Sequence, residues 1–185
     1  MRIDKIVLPD GEEITEFGFK AALCGWCSEN SENIIQTQPN GQKIFRYQAG
    51  DFYFEDAWLQ NVVNKIYVGS IMITYQGIQV FTHSYAGFYS PDVVGLVKQA
   101  LQVGYKSYIM SHGFRGVDGF RSDDFPGLEY KNSTVSMPGA VYDHAMPDYE
   151  YDSYTPFAGH ERIVRAGTHE SVNKGELHYW GAFLV

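Results

Sequence analysis

The feature that most constrains the fold is an alternation of aromatic and acidic residues at Asp51–Trp58, which reads DFYFEDAW. A related stretch, DYEYDSYT, follows at Asp148–Thr155. Successive side chains of an extended strand point to opposite faces, so Phe52 and Phe54 share one face and their neighbours the other. Aromatic side chains suit a half-buried pleated surface, and the chain has 12 Phe and 14 Tyr. The pattern therefore predicts antiparallel β structure.

The similarity continues beyond these two stretches. The shared pattern runs on as an aromatic-x-Gly, an Ile, a Gly and a Tyr-x-Gly. The matched segments are Asp56 and Asp152, Tyr67–Gly69 and Phe157–Gly159, and Tyr85–Gly87 and Tyr179–Gly181. We interpret this as an internal repeat of a three-stranded meander of about forty residues. Repeat 1 would cover about 43–88 and repeat 2 about 148–185.

From this pattern we expect a single α+β domain over residues 1–185. Two repeated antiparallel β-meanders would form a twisted sheet or half-barrel, with two main helices near 12–26 and 91–103 packed against it. Ser90 and Gly104 are the expected cap and end of the second helix, and Gln76-Gly77 is a hairpin turn. The predicted strands are Ile3–Leu8, Lys43–Gln48, Phe52–Trp58, Lys65–Tyr75, Gln79–Tyr85, Leu128–Val135, Tyr149–Tyr154, Glu161–Ala166 and Gly175–Val185.

The segment Ser111–Met146 is irregular and rich in Gly and Pro. Long segments of this kind in a compact domain are either functional or mobile, so a lid and an interface both stay open. Its acidic part, GVDGFRSDDFPG, lacks the spacing of an EF-hand calcium loop. We expect a solvated loop there.

The formal net charge of -8 disfavours nucleic acid and anionic membrane surfaces as partners, because both repel a negative field. The basic residues are scattered, and no apolar run has the length of a membrane span. The N-terminal residues also lack a secretory signal. We therefore expect a cytoplasmic location, no nucleic acid and no membrane partner, and homo-oligomerisation stays open.

The two cysteines, Cys24 and Cys27, stand in LCGWC at the end of a helical pattern. A thioredoxin-like C-x-x-C needs the positive N-terminus of a helix, which lowers a thiol pKa. This pair would face the negative end of the helix dipole instead. We expect structural thiols rather than a redox pair, and a single C-x-x-C is a weak zinc signal.

These motifs together resemble an uncharacterised bacterial domain of unknown function, which occurs alone or C-terminal to a helix-turn-helix in XRE-family (Cro-like) regulators. The resemblance covers roughly residues 14–185. It implies no reaction, and without a helix-turn-helix it implies no DNA binding. The chain differs from the family at two positions. Ile71 stands where the first F-x-G-x-E motif has Glu, and Trp180 stands where the family tends to have His. The matching residues are Tyr47, Gly50, Asp51, Phe54, Asp56, Phe157, Gly159, Glu161, Ile163, Tyr179 and Gly181.

Among the acidic residues, Asp56 and Asp152 occupy matched positions, so we expect them to close equivalent turns. Glu161 has no matched acid, since Ile71 stands in the first copy, and it is the better site candidate. The six histidines form no H-E-x-x-H, and His160-Glu161 would point to opposite faces of a strand. No metal, no cofactor and no catalytic residue is assigned.

The function that the sequence favours is a non-enzymatic binding module that holds a small ligand, for example a nucleotide-like one, in an aromatic-lined cleft between the repeats. One alternative is a protein-interaction or inhibitor protein of a phage or mobile element, which could sequester a host signal. Another is a hydrolase that uses Glu161 with Asp152 or His160. The predicted ligand-binding residues are Glu161, Arg162, Arg165, Trp58, Tyr154, Tyr179 and Trp180.

Overall fold

Eight strands form one antiparallel sheet in the computed structural model, which describes residues 6–28, 31–61, 63, 65–107, 113–136 and 156–184. The strands are β1 Gln36–Thr37, β2 Lys43–Ala49, β3 Phe52–Gln60, β4 Tyr67–Tyr75, β5 Ile78–Tyr89, β6 Leu128–Ser136, β7 Phe157–Arg165 and β8 Ser171–Phe183. Their order in the sheet is β1-β2-β3-β4-β5-β8-β7-β6, and the sheet is open rather than closed into a barrel.

The sheet joins two runs of consecutive antiparallel strands, β1 to β5 and β6 to β8. They meet at the pairing of β5 with β8, where Tyr85 lies opposite Tyr179. The hairpin between β4 and β5 turns at Gln76 and Gly77, both of which have positive φ, as the sequence predicts. The predicted α+β class is therefore confirmed. The internal repeat stays a prediction, and the predicted strand Tyr149–Tyr154 lies outside the described residues.

The helix α1 spans Gly11–Cys24 and begins at a complete capping box. The Asp10 side chain accepts from the Glu13 N–H at 2.9 Å, and the Glu13 side chain accepts from the Asp10 N–H at 3.2 Å. The helix ends at Gly25, before the predicted boundary at residue 26. A Cβ at Gly25 would lie 2.8 Å from the Phe45 ring, so glycine lets the chain turn directly over β2.

The helix α3 spans Val94–Ser107 and follows a 3₁₀ turn at Pro91–Val93, while α2 is a single turn at Ser31–Ile34. The expectation that Gly104 ends this helix is wrong. Gly104 lies inside α3, where a Cβ would be 2.5 Å from the Arg115 carbonyl oxygen, so glycine serves close packing there. Ser90 also departs from a simple cap, since its hydroxyl donates to the Asp92 side chain.

Both α1 and α3 pack on one face of the sheet and enclose the core. The predicted strand Ile3–Leu8 is wrong for the part that is described, because residues 6–10 have no regular structure and Val7 is 79% exposed. Residues 1–5 of the chain lie outside the described part. Within the described residues, every helix is too short or too polar to cross a membrane.

Candidate functional site: an aromatic cavity under the helices

A cavity of about 60 Å³ lies between the end of α1, the helix α3 and the strands β2 to β5 and β8. This is room for about four to six water molecules, at roughly 10–15 Å³ for each water centre. Its walls are mainly aromatic. The lining residues with some solvent exposure are Trp26, Asp56, Tyr67 and Tyr85. The buried lining residues are Ala22, Gly25, Cys27, Phe45, Phe54, Trp58, Ile71, Tyr89, Leu101, Tyr105, Arg115 and Leu177.

Asp56 is the carboxylate of this cavity, and the alternation of β3 explains its position. It points to the same side as the buried Phe54 and Trp58, and Ile71 of β4 lies opposite it. The Tyr85 hydroxyl donates a hydrogen bond to Asp56 Oδ1 at 2.7 Å. Burial raises the pKa of Asp56 to about 6, against the opposing effects of Tyr85 and the Arg115 charge.

The expectation that Asp56 closes a turn is therefore wrong. The residue stands in the middle of β3, because the strand continues to Gln60. Asp51 has the turn role instead. Its carbonyl oxygen accepts from the Gln76 N–H at 2.9 Å, and its carboxylate accepts from Gln76 Nε2 at 2.8 Å. The matched residue Asp152 lies outside the described residues.

A buried ion pair between Arg115 and Glu161 stands next to the cavity. Arg115 Nε donates to Glu161 Oε1 at 2.7 Å, and Nη2 donates to Oε2 at 2.8 Å. The hydroxyls of Tyr89 and Tyr130 each donate to one of the same two oxygens. Burial of the guanidinium opposes its charge, but the Glu161 carboxylate holds the pKa of Arg115 above its usual range.

Each Glu161 oxygen thus accepts two hydrogen bonds from protein groups, and the residue is fully buried. A carboxylate in this state is an anchor, because its acceptor positions are already filled. It ties Arg115 and its buried neighbour Phe114 to the middle of β7. Glu161 does have titratable neighbours within hydrogen-bond reach, as a hydrolase would need, but it does not line the cavity.

A second cluster of polar side chains surrounds Tyr179, in the half of the sheet that β6, β7 and β8 form. The Tyr179 hydroxyl donates to Asn132 Oδ1 at 2.7 Å, and it is 2.5 Å from Thr134 Oγ1. His83 stacks on Tyr179 at 5.4 Å between ring centroids. Within the described residues, neither ring nitrogen of His83 has a hydrogen-bond partner. Burial lowers the pKa of His83 well below its usual value, so the ring is neutral.

The predicted ligand-binding residues separate into three places. Trp58 lines the cavity, and Glu161 reaches it indirectly through Arg115. Tyr179 is buried under the other half of the sheet. Arg162 and Trp180 belong to the opposite, outer face, where Trp180 is 53% exposed.

The remaining two residues of that set are not placed in the cavity either. Arg165 is exposed beside Glu170, with Nε and Oε2 3.5 Å apart. Tyr154 lies outside the described residues. Of the predicted ligand-binding residues, the structure therefore places Trp58 in the wall of the cavity. Glu161 lies behind that wall and is connected to it through Arg115.

The predicted ligand-binding residues do not include Arg115, Trp26 or Tyr85, and Tyr85 was identified only as part of the internal repeat. Arg115 stands in GFRG, within the segment expected to be irregular. The sequence did contain one indication of its role. Arg115 is a single cationic residue between two glycines, which allow the backbone to approach a sheet closely. Its distant partner Glu161 could not be identified from spacing.

Cys27 also lines the cavity, whereas Cys24 is exposed, and both thiols are free. Burial raises the pKa of Cys27 to about 12, so the thiol is uncharged at neutral pH. An uncharged buried thiol behaves as a small apolar side chain.

No protein-family model, curated protein or solved structure matches this chain. The resemblance to the domain family found with XRE-type regulators stays a prediction.

Proposed function

We propose that this protein is a binding module whose cavity holds the small cationic head group of a ligand, such as an alkylammonium. The observation that carries the proposal is the charge balance around the cavity. Arg115 is committed to Glu161, and together they are neutral. Asp56 has a neutral partner, Tyr85, within the described residues and so retains an unmatched negative charge when ionised.

The walls of the cavity suit such a head group. The face of an aromatic ring attracts a cation, and aromatic cages recognise quaternary ammonium groups in this way. Trp26, Trp58, Tyr67 and Tyr85 supply aromatic rings around Asp56. A ligand cation would give the partly buried Asp56 carboxylate the opposite charge that compensates its desolvation.

The size of the cavity sets the scale of the ligand. A cavity of about 150 Å³ accepts benzene, and this one, of about 60 Å³, is smaller. The cavity therefore limits the head group to a small one such as ammonium or methylammonium, and the remainder of a larger ligand would extend past the partly exposed Trp26 and Tyr67. The nucleotide-like ligand predicted from the sequence is the alternative, although its phosphates would be repelled by Asp56.

The test is isothermal titration calorimetry at pH 7.5 with ammonium, methylammonium, guanidinium and adenosine monophosphate. Methanol, the neutral isostere of methylammonium, controls for binding that does not depend on charge. We expect the ammonium ions to bind at least about tenfold more tightly than the neutral isostere, a difference of about 1.4 kcal/mol. Binding should weaken as the pH falls through about 6, where Asp56 takes up a proton.

The matched variants are Asp56→Asn and Glu55→Gln. Glu55 is the next residue of the same strand, points to the other face and pairs with Arg46 at 2.8 Å. Asp56→Asn should abolish the preference for cations, and Glu55→Gln should leave it unchanged. The proposal is wrong if no ammonium binds, if both variants bind equally, or if adenosine monophosphate is preferred.

A further inference from the structure

The outer face of the sheet, opposite the helices, carries a second chemical cluster. His160 of β7 and His178 of β8 are direct cross-strand partners, and Glu176 precedes His178 by two residues on the same face. The imidazole rings stack at 4.5 Å between centroids with an interplanar angle of 12°. Antiparallel pairing therefore places three metal-ligating side chains side by side.

The side-chain tips converge. Glu176 Oε1 is 3.0 Å from His160 Nε2 and 3.2 Å from His178 Nε2. One ligand atom from each of the three residues lies within 4.8 Å of the other two. In a tetrahedral zinc site, with bonds of about 2.0–2.2 Å, neighbouring ligand atoms are roughly 3.3–3.5 Å apart. Small side-chain rotations would centre an ion among them.

We propose that His160, Glu176 and His178 form a binding site for a divalent first-row transition metal ion of the zinc class. Two imidazoles with one carboxylate oxygen suit zinc, copper, nickel or iron, whereas calcium and magnesium prefer oxygen ligands alone. Three protein ligands leave a fourth position for water. The site is accessible from solvent, since the side chains of His160, Glu176 and His178 are 32%, 49% and 68% exposed.

The ordinary alternative is that Glu176 only accepts hydrogen bonds from the two imidazoles. Exposed pairs of that kind contribute little stability, and the metal titration below distinguishes the two arrangements. Arg162, directly opposite Glu176 in the register, adds positive charge nearby and should limit affinity. This cluster is independent of the cavity, which lies on the other face.

The experiment titrates the tag-free protein with Zn²⁺ by calorimetry, with Mg²⁺ and Ca²⁺ as comparison ions. We expect one zinc ion per chain and no binding of the comparison ions. His160→Ala, His178→Ala and Glu176→Gln should each weaken zinc binding by at least about tenfold. Loss of a residue that only hydrogen-bonds to a metal ligand already costs about ten- to a hundredfold in metal affinity, so loss of a ligand itself should cost no less. His169→Ala is the matched control, because His169 is an exposed histidine on the turn between β7 and β8.

A second readout locates the ion. Trp180 follows His178 by two residues on the same face and is 53% exposed. Bound Cu²⁺ should therefore quench the fluorescence of Trp180 in the wild-type protein. The quenched component should be absent from Trp180→Phe, and in His160→Ala it should remain but no longer be quenched. The proposal is overturned if zinc does not bind, if His169→Ala weakens binding as much as His160→Ala, or if quenching is the same in all variants.

Discussion

Tyr85 and Tyr179 face each other across the paired strands β5 and β8, and their hydroxyls donate to different acceptors at the same distance of 2.7 Å. Tyr85 bonds the carboxylate of Asp56, whereas Tyr179 bonds the amide of Asn132. One half of the sheet therefore holds a buried acid beside a cavity, and the other half holds a neutral side chain in a packed interior. This difference leads to the first prediction.

Asp56→Asn should stabilise the protein at neutral pH. The folded state holds the pKa of Asp56 at about 6, above the ordinary value of 3.8, so folding favours the protonated acid. The folded state then binds more protons, and the free energy of unfolding falls as the pH rises from about 4 to 6. The amide should avoid this penalty, of about 1–3 kcal/mol above pH 7.

The measurement is urea unfolding of both proteins from pH 4 to 8. The advantage of the variant should shrink towards pH 4, where the wild-type carboxyl is protonated in both states. An advantage that is constant with pH would contradict the stated role of Asp56.

Glu129→Gln should show the opposite pH dependence. Burial acts to raise the pKa of Glu129, but the Gly167 N–H, Lys131 and Arg121 outweigh it and lower the pKa to about 2. Stability from this group is complete above its ordinary pKa of 4.5 and is lost as the pH falls towards 2. The variant should be less stable by about 1–3 kcal/mol at pH 7.

Thermal unfolding of Glu129→Gln between pH 2.5 and 7 measures this effect. The deficit should diminish on acidification, with Glu170→Gln, an exposed acid, as the control. A deficit that grows towards low pH would refute the assignment.

Glu161→Gln should cost about 3–5 kcal/mol of unfolding free energy, because it leaves the buried Arg115 charge without its partner. Arg115→Met alone should also destabilise the protein, since it leaves the carboxylate with its two tyrosine donors. The double variant should cost less than the sum of the two single variants, with a coupling energy of about 0.5–3 kcal/mol. Chemical denaturation of the four proteins measures the cycle, and strict additivity would argue against a direct pair.

Gly159→Ala should destabilise the fold through Tyr179. A Cβ at Gly159 would lie 2.1 Å from Tyr179 Cζ and Oη, so the ring must move. Overpacking of this kind costs about 1–3 kcal/mol, and the ring would also lose its bond to Asn132. Ser133→Ala, on an exposed position of β6, is the control, and its unfolding midpoint should stay near the wild-type value. An unaffected midpoint for Gly159→Ala would mean that the ring can shift without cost.

The sheet was predictable because its signal is local. The alternation at Phe52–Trp58 and the turn at Gln76-Gly77 specify β3 and the β4–β5 hairpin without knowledge of distant residues. The cavity was less predictable, because Arg115 and Glu161 become partners only when the loop folds back onto β7. Gly104 was misread for the same reason, since its packing partner is the backbone of that loop.

The pairing of β5 with β8 has a consequence for how the chain reaches its native state. Tyr85 and Tyr179 are roughly ninety residues apart in sequence, so the junction of the two strand runs requires a large loop to close, and such topologies fold slowly. During synthesis β5 emerges well before β8, and for that interval its 12 residues have one unpaired edge. Such an unpaired edge can pair with a strand of another chain as readily as with β8 of the same chain. The strand that later becomes the centre of the sheet is thus the segment at which self-association competes with folding.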